Sequence, residues 1–160
     1  MTRSLGSDLP ARLQLLLDGH DPGSHVGTTF LLLTSTEANW PHAAMLSVGE
    51  VLCVTPRELR LALWPSSTTT RNLTSRSRAT IVLVHEAAGY LIRCRATRGP
   101  DLELRSRPAG LASFALEVAE VFEDVVPYAE LTNGITFELT DVHETVEDWC
   151  EQLEALRRGA

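Results

Sequence analysis

Between Leu61 and Val84 the chain reads LALWPSSTTTRNLTSRSRATIVLV. Five hydroxyls stand in a row from Ser66 to Thr70, Arg71, Arg76 and Arg78 follow, and no carboxylate interrupts them. The chain as a whole nonetheless carries a formal net charge of -7. Hydroxyls, a guanidinium and the free amides at a helix start form a donor set suited to a phosphate. Pro65 cannot continue a central strand, because it has no amide to donate. Ser66, Ser67 and Thr68 are good capping residues, so a short helix is expected over Thr68–Ser75. Arg71 in its first turns opposes the helix dipole by about 0.3–1 kcal/mol, and a bound anion reverses that sign. The same hydroxyls can also serve only to cap the helix, so both readings stand at this level.

Other reactive side chains are scattered. His42 follows Trp40-Pro41 at a strand start, where it either faces a ligand as a proton relay or sits on the surface. His20 and His25 share a glycine-containing loop but have no carboxylate or thiolate at metal-ligand spacing, so no metal site is expected. Trp64 can stack on an aromatic ligand or pack in the core. Asn72-Leu73-Thr74 matches a glycosylation acceptor, which carries no meaning without secretion. No nucleophile-base-acid set and no glycine-rich dinucleotide fingerprint is present, so no general acid or base can be named. All fourteen basic residues are arginine. Without lysine, Schiff-base chemistry and a lysine-bearing P-loop are both excluded.

The elements that must position these groups are mostly strands. Residues 8–18 read as a helix with Leu9, Leu13, Leu16 and Leu17 on one face and Gly19 as its stop. Residues 20–27 form a loop. Strands are expected over Thr28–Thr34, over residues 43–55 and over residues 58–64, the last two turning at Pro56-Arg57. A second hairpin joins residues 79–86 to residues 89–97 through Ala87-Ala88. Residues 111–124 fit either a helix or a strand with a bulge near 119–120, and strand is preferred. Residues 133–141 contain a turn and a short strand. Residues 143–158 form a closing helix with Val146, Trp149, Cys150, Leu153 and Leu156 on its apolar stripe. The pattern is mainly β within an α+β chain: six or seven antiparallel strands in a small barrel, with N- and C-terminal helices.

At 160 residues the chain suits a single domain with its own core. The acidic balance argues against a nucleic-acid partner. No apolar run approaches the roughly 20 residues of a membrane span, and no signal-peptide core is present, so a cytoplasmic protein is expected. Cys53, Cys94 and Cys150 do not suggest a disulfide framework and read as small hydrophobes.

The order of elements around PHAAMLSV and LRLALWPSSTTTRNLTSRSRATIVLV resembles the pyridoxamine 5'-phosphate oxidase-like family of FMN-binding split β-barrels. The resemblance runs from about Phe30 to Thr97 and more weakly to Thr140; its most specific part is the strand, hydroxyl-rich turn and "RNL". It implies that Ser67, Thr68, Thr69, Arg71 and Asn72 hold the FMN phosphate. It implies that Ala44, Met45, Leu46 and Ser47 lie along the flavin ring, with Ala62, Leu63 and Trp64 on the neighbouring strand. It further implies a homodimer with FMN at the subunit interface, where Tyr90 of the GYLIR strand reaches the ring of the other subunit. Family members often carry Arg-Lys where Thr68-Thr69 stand here, and an arginine where Ala44 stands. Each such contact is of a type worth about 1.5–3 kcal/mol. The basic residues expected of a true pyridoxine-phosphate oxidase are not evident either. The implied activity is a flavin-dependent oxidoreductase acting on a small molecule, with a nicotinamide donor as one option. The alternative is a dimer holding flavin or haem without turnover, as a sensor or store.

Overall fold

The computed structural model describes residues 1–159. Its strands are β1 (Thr2–Gly6), β2 (Phe30–Ser35), β3 (Pro41–Leu46), β4 (Val51–Thr55), β5 (Glu58–Leu63), β6 (Arg78–His85), β7 (Ala88–Arg98) and β8 (Ala112–Asp124). Its helices are α1 (Ala11–Leu16), α2 (Thr68–Arg76) and α3 (Val142–Gly159), with one 3-10 turn at Pro22–His25. Seven strands follow one antiparallel path, β3-β2-β6-β7-β8-β5-β4, and β1 pairs separately with β8. The sheet curls into a half-barrel whose edges are β3 and β4, and no ladder joins these edges among the described residues. The result is the expected split barrel. No described helix is long and apolar enough to cross a membrane.

Alternation gives the sheet its buried inner face. Along β7, Ala88, Tyr90, Ile92, Cys94 and Ala96 turn inward and are buried, while Arg93 and Arg95 stay in water. Phe30, Leu32, Leu59, Leu61, Ile81, Phe114 and Leu116 fill the same interior, and α1 closes it with Leu13 and Leu16. A smaller second core lies outside the barrel, where Leu153 and Leu156 of α3 meet Leu52 of β4, Ala62 of β5 and Leu102, Leu104 and Leu111.

Residues 112–124 are one long strand, and the bulge falls where expected. Arg93 pairs with Glu120 and Cys94 with Val118, which leaves Ala119 as the extra residue. That kink lets β8 serve two neighbours on one edge, β5 along its first half and β1 along its last four residues.

Several local expectations change. The 43–55 run is two strands, because Ser47–Glu50 turns the chain sharply between β3 and β4. The second hairpin turns at Glu86-Ala87, both at positive φ, rather than at Ala87-Ala88. Residues 133–141 form no named strand; they pack across the outside of the barrel through Phe137 and Leu139. The first helix is shorter than its leucine pattern, and Leu9 reaches the core from outside it. On α3 the apolar stripe includes Ala155, whereas Cys150 is exposed. Cys94 is buried as expected, and burial pushes its thiol up to about 12.

Candidate functional site

The strand β3 connects two polar regions. From His42 to Ser47 it advances about 16 Å at 3.3 Å per residue. Its first end touches α2, and its last end opens on a chamber beneath α3.

At the first end, Ser67 caps α2. Its Oγ accepts from the Thr70 amide at 3.1 Å and donates to Thr70 Oγ1 at 3.1 Å. Thr70 Oγ1 donates in turn to the Trp64 carbonyl at 2.8 Å. Arg71 folds back over the turn, giving Nη1 to the Ser66 carbonyl and Nη2 to Thr68 Oγ1, each at 2.9 Å. The Asn72 side chain is buried and donates to Thr34 Oγ1 at 3.0 Å, which pins α2 onto β2. His42 Nε2 lies 3.2 Å from Thr69 Oγ1 and pins β3 to the same helix. Thr68 and Thr69 occupy the first helical positions, where backbone amides have no intrahelical acceptor. No acidic residue sits in this first turn. A cleft of about 310 Å³ beside it is lined by Thr36, Glu37, Thr68, Arg71, Asn72, Ser75 and Arg76.

Of the five expected residues, Thr68, Arg71 and Asn72 share this cleft, whereas Thr69 is buried against His42 and the Ser67 hydroxyl is taken up by the cap. Among them only Arg71 supplies positive charge. Hydroxyls, first-turn amides and one guanidinium without a carboxylate partner make a donor set that fits a phosphate monoester.

Along β3 the side chains alternate. Ala44 and Leu46 face the core, while Met45 is 68 % exposed. Leu63 and Ala62 are buried, and Trp64 is 55 % exposed with the Arg107 guanidinium 4.4 Å over its ring. Tyr90 lies elsewhere. It is fully buried inside the barrel, where its hydroxyl donates to Glu123 Oε1 at 3.0 Å. Arg12 binds the same oxygen at 2.8 Å and Arg3 binds Oε2. Tyr90, expected at the ring of the other subunit, therefore has no exposed surface to offer a cofactor there. His20 and His25 form no metal cluster, and no such cluster occurs among the described residues.

At the other end, Ser47 turns out of β3 and is held by Glu50. Its amide and hydroxyl both donate to Glu50 Oε2, at 2.6 and 2.8 Å. Burial raises the Glu50 carboxyl pKa, opposed by the Ser47 bonds and by the positive field of Arg107. Gly49 in this turn has no room for a side chain, because a Cβ would overlap the Trp149 ring. The turn, α3 and residues 135–139 enclose a chamber of about 360 Å³. Sequence reading missed Thr29, Glu50, Arg107 and Gln152, which all line it. No local pattern links them, since four separate segments deliver them.

No family model matches the chain. The uncharacterised protein YclD of Bacillus subtilis is 32 % identical over 147 residues, covering 92 % of this chain and 94 % of that one. A candidate pyridoxamine 5'-phosphate oxidase of Lactobacillus delbrueckii superposes with a TM-score of 0.58 at 13 % identity, covering 74 % of this chain and 98 % of the other. An F420 reductase superposes with a TM-score of 0.52 at 11 % identity, over 71 % of this chain and 98 % of the other.

Proposed function

The chain belongs to the family of Bacillus subtilis YclD and has the fold of the pyridoxamine 5'-phosphate oxidase-like split barrels, and from that premise we propose that it binds FMN and serves as a flavin-dependent oxidoreductase for a small molecule. One observation carries the reading. The carboxylate-free start of α2 stands at the head of β3, in a fold shared with a candidate phosphate-ester oxidase and a reductase.

In this reading the Thr68 hydroxyl and the free first-turn amides of Thr68 and Thr69 hold the phosphate, Ser67 caps the helix that presents them, and Arg71 supplies the charge. Asn72 positions the helix on β2 through Thr34 and lines the same cleft, with a second N–H and its carbonyl still free to meet a ligand. Ala44, Met45, Leu46 and Ser47 give a strand along which the ring lies, with Leu63 and Trp64 beside it. FMN, when bound, supplies hydride and electron transfer, and the protein supplies orientation and exclusion of water. Trp40, Met45 and Trp64 are large, exposed and apolar. They support a homodimer that covers this side of edge strand β3 and the cofactor with it. The three free cysteines fit a reducing cytoplasm.

The experiment is a visible spectrum after incubation with FMN and desalting, followed by Arg71→Ala titrated with FMN and with riboflavin. A retained flavin band is expected, and Arg71→Ala weakens FMN by about tenfold or more while sparing riboflavin, as for one lost charge-assisted bond. Equal loss for both ligands removes the phosphate from α2. A second reading, a dimer that holds the cofactor without turnover, is favoured by Thr68, Thr69 and Ala44 standing where family cations stand. Flavin reduction by NAD(P)H that speeds up with a substrate excludes it.

A further inference from the structure

One outer face of the sheet is apolar as well as the inner one. Leu31 and Leu33 of β2, Val82 of β6, Leu91 of β7 and Phe122 of β8 point away from the barrel and are only half-buried. An antiparallel sheet usually leaves such a face polar, and a contiguous apolar patch marks a surface that something covers. Leu153 and Leu156 of α3 cover β4 and β5 instead.

Charge divides this face into two ends. At one end Arg78 stands directly opposite Arg95, with Arg93 two residues along β7. Like charges directly opposite in a ladder are unfavourable. The three arginines line a cleft of about 460 Å³ with Leu33, Ser35 and Pro41. Arg93 reaches Glu120 at 3.9 Å, whereas among the described residues Arg78 and Arg95 form no ion pair, although Glu117 faces Arg95 across the ladder.

The other end carries residues 124–141, which hold Asp124, Glu130, Glu138 and Asp141 and no arginine. Leu131 packs over Gly89 and Gly134 over Val84. Tyr128, Leu131 and Ile135 are exposed, and among the described residues no backbone hydrogen bond ties residues 130–140 to the sheet. A segment whose backbone and large apolar side chains both lack partners is incomplete by itself.

The two ends lie about 20 Å apart, six residues along β6 from Arg78 to Val84. A twofold axis through the middle of the face, beside the paired Val82 and Leu91, exchanges them. It brings acid to base twice and covers the apolar middle in the same step. The face also continues onto edge strand β3, where Met45 pairs with Leu31. A small anion alone would satisfy the arginines but leave Leu33, Val82 and Leu91 in water.

We propose that two copies of the chain pack through these faces, so that residues 124–141 of each lie on the arginine cleft of its partner. This pairing rests on the homodimer inferred above and gives it its surfaces.

The test is sedimentation equilibrium of the full chain, alone and as mixtures of two charge-reversed variants. One variant carries Arg78→Glu and Arg95→Glu, and the other carries Glu130→Arg. All three positions are exposed, so melting temperatures should hold. The native chain should be a dimer. Each variant alone sets like charges against each other and should raise the dimer dissociation constant at least tenfold. Mixing the two variants restores both contacts and should return a heterodimer close to native strength. A native chain that stays monomeric at submillimolar concentration overturns the proposal, as does a dimer that neither variant weakens, or a mixture no tighter than the variants alone. Should the double variant fold poorly, Glu130→Arg decides by itself, because an unchanged dimer there overturns the pairing. FMN retention in the same samples separates this pairing from the flavin reading. A dimer unmoved by either variant that still holds flavin defeats only the pairing, and a dimer that responds as expected but holds no flavin defeats only the flavin reading.

Discussion

The two ends of β3 treat polar groups in opposite ways. Around α2, Ser67, Thr70, Arg71 and Asn72 all find partners within the chain. At the chamber, two buried atoms, Thr29 Oγ1 and Arg107 Nε, find none. The difference follows from sequence distance. Short hydroxyl side chains at a helix start reach their own backbone, so a conspicuous cluster can satisfy itself locally. The chamber groups come from β2's approach, the β3–β4 turn, a loop and α3, and no neighbour in sequence can complete them.

Mutations can sharpen or break that contrast. Trp149→Ala should have the largest effect, about 3–5 kcal/mol of stability, because it empties the wall that Gly49 packs against. Denaturant melts check this, and the flavin affinity at α2 should survive in the folded fraction.

Glu123 is the reference for a polar network that is fully closed. Removing it should cost less than the roughly 3–5 kcal/mol of a fully buried pair, because Arg3 and Arg12 keep contact with water. The Arg3 hydrogen bond, then Tyr90 and Arg12, holds the Glu123 carboxyl below its ordinary range against the effect of burial. Its folded pKa lies below the unfolded one. The stabilisation is therefore complete above the ordinary carboxylate range and is lost as pH falls through the folded value. Melting temperature against pH should fall on acidification in the native chain and be flatter in Glu123→Gln; identical curves would discount the network.

Asn72→Ala should cost about 1–3 kcal/mol, since it leaves the buried Thr34 hydroxyl without its donor. Ser67→Ala should cost about 1 kcal/mol through loss of the cap. Thr29→Val should be the smallest, within about 0.5 kcal/mol or stabilising, because it replaces an unpaired hydroxyl by a methyl of the same shape. A large cost for Thr29→Val would erase the contrast between the two ends.

Much of this molecule was legible without coordinates. Alternation in GYLIRCRAT gave the buried face of β7, while in ELRLALW it gave only the inner face, because Ala62 on the other face is buried too beneath α3; Pro65 followed by Ser67 marked where β5 stops and α2 begins. The bulge near 119–120 was legible because the alternation changes phase there. Those signals are local, set by side-chain period, capping and the missing proline amide. Tyr90's inward direction also follows from period, but its role does not. Only the barrel's curl brings Arg3, Arg12 and Glu123 to its hydroxyl. The break at Ser47–Glu50 needed Trp149, a hundred residues on, to show why Gly49 stands there. The chamber was decided by tertiary structure alone. Thr29, Glu50, Arg107 and Gln152 share no period and no motif, and their chemistry exists only once the closing helix folds over the open edge of the sheet.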